Sequence, residues 1–326
     1  VYLGELDVVS RAPAGGWPAR LFAAIEAAPD DAVAIETSGD RLTYGRLRRL
    51  LTHLAAQIPA DVRGKPVALL ATRSPEYVCG LLGLWAGGAI PVVTEESWTE
   101  VQRLEAWAQA RCALRADVAG GTLLVRKAGG PPAVGDAEMA DLDGLSHVLF
   151  TSGSLGRPTA SYIGAPAFDL AIGAYEALAG IRPRDVVPML SAPSHDPGLR
   201  DVLAPLLGGA KVCVPPPEVV GSPGPLAGWI ARTGVTVLHV VPVRLRLLCH
   251  ALGAPVGSVR LVVSSGGVLT PQDAALVRRS FPEASLVNGY GLTETPQLVA
   301  CRRWAPGELE AAAAATDLPI GGPLQG

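Results

Sequence analysis

Cysteine is sparse in this chain of 326 residues: Cys79, Cys112, Cys213, Cys249 and Cys301 are odd in number, and no two have the spacing of a redox or zinc-binding pair. A disulfide scaffold is thereby excluded and a reducing, cytoplasmic setting is expected. No basic cluster breaks the near balance of 27 Lys and Arg against 30 Asp and Glu, so nothing neutralises a run of phosphates and nucleic acid is excluded as a partner. No apolar run reaches the roughly 18 residues needed to span a bilayer, and the opening Val1-Tyr2-Leu3-Gly4-Glu5-Leu6-Asp7 lacks a signal peptide's basic and apolar regions, so no membrane is expected. Without an initial Met, the segment has the look of a piece of something longer. A Gly-x-x-x-x-Gly-Lys-Ser/Thr run is missing too, which removes the P-loop folds. Charged residues reach only 17% while hydrophobic ones reach 49%, the balance of an ordered protein with a large core.

The length exceeds that of one usual compact domain, so two packed α/β subdomains are expected: a linker-like lead-in at 1–20, a first subdomain at 21–145 and a second at 146–326. Leu21 to Ala28 reads as a short helix, and Thr43 as the N-cap of a helix whose Leu47, Leu50 and Leu51 face inward. Pro66 to Ala71, Pro75 to Ala86 and Ala89 to Val93 read as strand, helix and strand. Residues 116–144 dip toward Lys, Gly and Pro, and the polar part is expected at the surface. Strands are predicted at 147–150, 186–190, 211–214, 236–241, 260–264 and 285–288, with helices between most of them, and the alanine run Ala311 to Ala315 as a helix. Short apolar runs alternating with helices imply a largely parallel, helix-covered sheet whose ligands sit beyond the strand carboxyl ends.

Three segments expected on one sheet edge carry chemistry. After the apolar run His147-Val148-Leu149-Phe150 comes Thr151-Ser152-Gly153-Ser154-Leu155-Gly156-Arg157, closed by Pro158. Glycine allows close backbone approach, hydroxyls add donors, and successive N–H groups form a concavity suited to phosphate; a plain turn-rich surface connection is the alternative for any one such loop. The second is Ser264-Ser265-Gly266-Gly267-Val268-Leu269-Thr270. The third, Asn288-Gly289-Tyr290-Gly291-Leu292-Thr293-Glu294-Thr295, puts Tyr290 between glycines, where its face can stack on a base, and offers Glu294 for Mg²⁺ bridging phosphate oxygens.

In this order the segments resemble the adenylate-forming superfamily, and within it the amino-acid-activating adenylation domains of nonribosomal peptide synthetases. Leu42 to Leu47 is similar to the family's LTYxxL, Leu84 to Pro91 to LKAGAAYVP, and Thr151 to Pro158 to TSGTTGKPKG. Asn288 to Glu294 is similar to NxYGPTE, Leu318 to Leu324 to LPIGRPI, and Leu3 to Asp7 to the linker that leads into such a domain. The resemblance implies the N-terminal core of an adenylate-forming ligase. ATP and Mg²⁺ would activate a carboxylate, and a carrier domain's phosphopantetheine thiol would then take the acyl group from the adenylate. It implies as partners an amino acid, the carrier domain and other synthetase modules.

Residue by residue, the resemblance implies that Thr151, Ser152, Gly153 and Ser154, with Gly156 and Arg157 in the same loop, cradle the β- and γ-phosphates. It implies that Tyr290 stacks on adenine beside Gly266, Gly267, Asn288, Gly289 and Gly291, and that Thr293 contacts the α-phosphate while Glu294 binds Mg²⁺; these two make the catalytic pair. Ser194 to Asp201 takes the place of FDxSVWE, which puts Asp196 on the aspartate that pairs with the substrate's α-ammonium group; N-capping the helix at 198–208 is the alternative. His195 replaces an aromatic, as a packed or a gating residue. Pro197, Arg200, His239, Val263, Ser265, Gly289, Gln297 and Leu298 would line the side-chain pocket. A buried guanidinium must find a partner, so a carboxylate or strongly accepting substrate side chain is expected, unless Arg200 pairs with Asp196 or Asp201. The His-Asp-Pro-x-x-Arg-Asp run is also similar to α-aminoadipate-activating reductases.

The sequence departs from the family at several places: Arg157 and Thr159 stand where lysines are usual, Leu155 for threonine, Ala160 for glycine, Val268 for the glutamate of GGE and Gly322 for arginine. It stops before the YxTGD aspartate and the small C-terminal subdomain. Two rivals follow: a degenerate adenylation domain kept as a structural or interaction module, and an acyl- or aryl-CoA ligase, which Leu292 and His195 favour and Asp196 opposes.

Overall fold

Short aliphatic and β-branched runs bounded by Gly, Pro and Ser build three sheets, and the longer Ala- and Leu-rich stretches between them build the covering helices. The structure is a computed structural model that describes residues 15–128, 144–152 and 158–324. Gly153, Ser154, Leu155, Gly156 and Arg157 of the first loop lie outside the described residues, as does most of the lead-in.

The largest sheet runs, in order, Thr122–Lys127, Leu114–Ala119, Pro66–Ala71, Ile90–Glu95, Leu145–Ser152 and Pro158–Gly164. Its four inner strands are parallel. A second sheet has Val237–Val240, Leu261–Ser264 and Ser285–Leu292 in parallel, followed by antiparallel Thr295–Trp304 and the short Gly322–Pro323. A third joins Arg41–Thr43 and Val33–Glu36 to Lys211–Cys213 and Val186–Pro188. Helices Gly16–Ala27, Tyr44–Ala56, Pro75–Ala86 and Asp196–Leu207 contribute to one shared core. Helices Pro223–Thr233, Pro242–Ala251 and Pro271–Ser280 close a second core on one face of the five-stranded sheet. Tyr175, on helix Ala165–Ala179, packs with Val237, Leu261, Val263 and Val287 on its other face. No helix among the described residues is long and apolar enough to cross a membrane.

The α/β class and most inner strands were legible in the sequence; the Pro66–Ala71 strand, the Pro75–Ala86 helix and the Thr43 cap, whose hydroxyl accepts from Arg46 N–H, stand where they were expected. Parallel pairing, however, does not extend to Arg41–Thr43, Thr122–Lys127, Pro158–Gly164, Thr295–Trp304 or Gly322–Pro323. The dip at 116–144 holds a hairpin of Leu114–Ala119 and Thr122–Lys127, turned by Gly120 and Gly121 at φ +56° and +78°. Pro158–Gly164 and Thr295–Trp304 likewise fold back on the strands before them. Such strands have mixed polarity and lack the apolar run that marks a buried parallel strand. The division expected at 145/146 separates neighbours in one sheet, since Leu145–Ser152 pairs with Ile90–Glu95. The lead-in ends earlier than expected: helix Gly16–Ala27 absorbs its last residues because Trp17 buries edge-on against Trp85 and Phe168.

Candidate active site

The segment between Val186–Pro188 and Asp196–Leu207 has no regular structure, yet its carbonyls are gripped along its length. Arg73 Nε donates to Met189 at 2.7 Å, and Arg73 Nη2 to Leu190 and Ser191 at 3.1 and 2.9 Å. Arg244 Nη1 reaches Leu190 at 2.9 Å and the Tyr77 hydroxyl reaches Pro193 at 2.8 Å. The helix that follows starts so close to this segment that a Cβ on Gly198 would overlap the Ala192 carbonyl. His195 takes the N-cap position without a capping bond, so Asp196 is the first helical residue and not the cap. His195 is more than half exposed, which removes the packed alternative, and its Nε2 lies 3.2 Å from Glu95 Oε1, an oxygen that also accepts from Ser194 Oγ at 3.0 Å.

One helical turn apart on this helix, Asp196 and Arg200 share a buried face. Asp196 Oδ2 accepts the Gln297 backbone N–H at 2.6 Å, and Oδ1 accepts Gln297 Nε2 at 2.8 Å. Gln297 reaches in from a left-handed backbone at φ +63°, a conformation few non-glycine residues adopt. Burial, offset only in part by Arg200 and by these bonds, pushes the Asp196 carboxyl up to about 6. Arg200 is 1% exposed, and its Nε and Nη1 have no hydrogen-bond partner. Its guanidinium lies 5.1 Å from the centroid of the Tyr175 ring, a cation–π contact that leaves its N–H donors unspent. The pairing with Asp196 or Asp201 that the sequence left open does not occur among the described residues. Asp196 is committed to Gln297, while Asp201 Oδ1 accepts from His239 Nδ1 at 2.7 Å and Oδ2 from Ser191 N–H at 2.7 Å. His239 Nε2 in turn meets the Tyr175 hydroxyl. Burial lowers the His239 pKa against the pull of Asp201. A neutral imidazole then donates from Nδ1 and accepts from Tyr175 at Nε2. Tyr175 escaped the sequence reading, since it belongs to no recognisable motif, and Asp201 entered it only as a partner of Arg200; the fold places both beside His239.

Strand register sets His239 beside Val263 and Val263 beside Val287, on the face that Leu298 covers. Pro197 and Ser265 sit half-buried at the rim. At the carboxyl edge of the same sheet Gly266 turns at φ +78°, and Gly267 beside it is exposed. Tyr290 is 45% exposed, a free aromatic face at a strand end. It lies in a strand, not a loop: Ser285–Leu292 continues through it, and Thr293 and Glu294 form the two-residue turn into Thr295–Trp304. Glycines flank Tyr290 because the hairpin is tight, a Cβ on Gly289 crowding the Leu298 side chain and one on Gly291 overlapping the Gln297 carbonyl. The Asn288 side chain turns inward and donates to the Pro319 carbonyl at 3.0 Å. Thr293 is half-buried and Glu294 exposed. Thr151 and Ser152 end a strand of the six-stranded sheet, so the three segments occupy two sheets rather than one edge.

A strand-end aromatic, glycine turns and an acidic hairpin tip, together with a buried carboxyl and a buried guanidinium one helical turn apart, are the arrangement in which comparison with known proteins becomes informative. The family model of AMP-binding enzymes matches residues 21–326. The chain belongs to the AMP-binding enzyme family. The phenyloxazoline synthase MbtB of Mycolicibacterium paratuberculosis is 30% identical over 297 residues, 85% of this chain and 25% of that protein. The L-2-aminoadipate reductase large subunit of Eremothecium gossypii is 37% identical over 120 residues, 37% of this chain and 9% of its own length. The chain thus spans a quarter or less of these curated relatives. Among solved structures, the N-terminal subdomain of Klebsiella oxytoca NpsA in complex with 3-hydroxyanthranilyl-AMSN superposes with a TM-score of 0.75 at 23% identity, covering 95% of this chain and 80% of that one. IdnL7 superposes with a TM-score of 0.76 at 24% identity, covering 94% and 67%. The fold is that of the N-terminal core of an adenylation domain.

In this AMP-binding enzyme the residues fit a nucleotide: Tyr290 offers an uncovered ring, and Gly266 and Gly267 are exposed past a strand end of the same sheet. Among the described residues no group of three or more His, Cys, Asp or Glu side chains could hold a metal ion. A lone exposed carboxylate such as Glu294 suits Mg²⁺ shared with phosphate oxygens instead of an all-protein site.

Proposed function

We propose that this chain activates an amino acid with ATP and passes the resulting acyl group to the phosphopantetheine thiol of a carrier domain, within a cytoplasmic nonribosomal peptide synthetase. The substrate carboxylate oxygen attacks the α-phosphorus, the bond from that phosphorus to the α,β-bridging oxygen breaks, and pyrophosphate leaves with its electrons. Both reactants are anions, so positioning and aligned dipoles supply most of the rate. Tyr290 stacks on the base, Thr293 donates to the α-phosphate, and Thr151 and Ser152 begin the loop that receives the β- and γ-phosphates. Mg²⁺, held by Glu294, would neutralise charge on the leaving pyrophosphate.

One observation carries the substrate assignment: a buried carboxylate and a buried guanidinium without hydrogen-bond partners stand one turn apart on the same helix. Asp196 would take the α-ammonium and Arg200 an anionic side chain, which makes an acidic amino acid the favoured substrate. The relative named for L-2-aminoadipate, an amino acid with a side-chain carboxylate, supports this reading. A second reading, a ligase for an acyl or aryl acid without an amine, is favoured by the Gln297 amide on Asp196, which already occupies the ammonium position. ATP–pyrophosphate exchange with acidic, amide and apolar amino acids and their des-amino analogues separates the two. Exchange stimulated best by acidic amino acids supports the first, and equal stimulation by des-amino acids overturns it. No exchange with any acid, in a chain that binds ATP, would indicate a degenerate module.

A further inference from the structure

The hydrogen bonds that immobilise His239 link three separate elements. From the Ser191 N–H they run through Asp201 on helix Asp196–Leu207 and His239 on strand Val237–Val240 to Tyr175 on helix Ala165–Ala179, beneath Arg200. Asp201 and Tyr175 are wholly buried and His239 is 1% exposed. Such a network costs stability unless every member is satisfied, and here each group in the run from Asp201 to the Tyr175 hydroxyl has a partner while Arg200 beside it does not.

We propose that Tyr175 and Asp201 are specificity-determining positioning residues that spend both nitrogens of His239 and so make the pocket selective for a carboxylate over the matching carboxamide. The inference rests on the reading that Arg200 meets the substrate side chain. A carboxylate needs only donors, which Arg200 supplies; a carboxamide also carries an NH₂ group that requires an acceptor. His239 Nε2 is the imidazole acceptor next to that guanidinium, and the Tyr175 hydroxyl occupies it. Asp201 holds the proton on Nδ1 and thereby keeps Nε2 an acceptor, so the tautomer cannot reverse to present a donor. An amide entering this pocket meets no free imidazole acceptor for its NH₂, whereas an acid needs only the donors of Arg200.

Tyr175→Phe tests this, because it keeps the ring beneath the guanidinium and removes only the hydroxyl. ATP–pyrophosphate exchange is measured with glutamate against glutamine and with aspartate against asparagine, alongside thermal melts. The acid-to-amide ratio of kcat/KM is expected to fall about five- to tenfold, the effect of one ordinary hydrogen bond, chiefly through a lower KM for the amide. Adding His239→Leu should abolish the gain in amide use, since the freed acceptor is gone. An unchanged ratio in Tyr175→Phe, or a gain that survives His239→Leu, overturns the proposal while the acidic-substrate reading stands. A parent protein without preference for acids overturns both.

Discussion

Asp196→Asn should abolish the pH dependence that this one residue imposes on stability. The carboxyl titrates near 3.8 when exposed and at about 6 in the fold, because burial outweighs the help of Arg200 and Gln297. The folded state thus holds the proton more tightly. The contribution is present below pH ~4 and is lost as pH rises through 6, reaching ~3 kcal/mol at neutral pH for a shift of roughly two units. Asn carries no charge, so its own cost, a rearranged bond to Gln297, does not vary with pH. Urea unfolding of both proteins between pH 4.5 and 8 should show the variant gaining on the parent by about 2 kcal/mol, the portion of that linkage falling in this window. Of the other buried carboxylates, Asp185 and Asp273 are held below the ordinary range by Arg260 and Arg246 and cancel in the comparison. An α-amino acid bound to the parent should shrink the gap, since an ammonium group restores the ionised form. Parallel stability curves for the two proteins would refute the assignment of Asp196 as an uncompensated buried carboxyl.

Gln297→Ala frees Asp196 Oδ1 while the backbone N–H keeps Oδ2, so the KM for an amino acid should fall severalfold with the des-amino analogue unaffected; a raised KM would mean that Gln297 helps bind the substrate. Tyr290→Ala should raise the KM for ATP about tenfold or more, from the roughly 1–3 kcal/mol that base stacking contributes, and leave the melting temperature nearly unchanged because the ring is 45% exposed. Gly291→Ala places a Cβ on the Gln297 carbonyl and should destabilise by ~1–3 kcal/mol in denaturant unfolding; a neutral result would show that the hairpin can open at that point.

What could be read from the residues divides along a physical line. Local signals were sufficient for Thr43 as a cap, for the Pro66–Ala71 strand and for the helix after it, because capping chemistry and apolar runs act over a few neighbours. Pairing direction was not local. Pro158–Gly164 and Thr295–Trp304 pair antiparallel with the strands before them, and nothing within either stretch distinguishes that from a helix-linked crossover. The same holds inside the site. Asp196, Arg200 and Asp201 stand within one short stretch, and proximity in sequence suggested that they pair with one another. Helix geometry instead turns Asp201 toward His239 and Ser191, from distant parts of the chain, and gives Asp196 to Gln297, 101 positions away.

This division also separates the two halves of the site energetically. On the nucleotide side Tyr290, Gly267 and Glu294 are exposed, and water satisfies whatever they offer, so a bound nucleotide only exchanges partners. On the substrate side a carboxyl with a raised pKa and a guanidinium with two unpartnered nitrogens are buried, and water does not relieve them. A ligand that brings an ammonium group to one and an anion to the other removes a cost that the empty fold already bears. Under the proposed assignment, discrimination among substrates is strongest where the empty protein is least satisfied, at Asp196 and Arg200, while the strand-end segments would contribute affinity that differs little from one acid to the next.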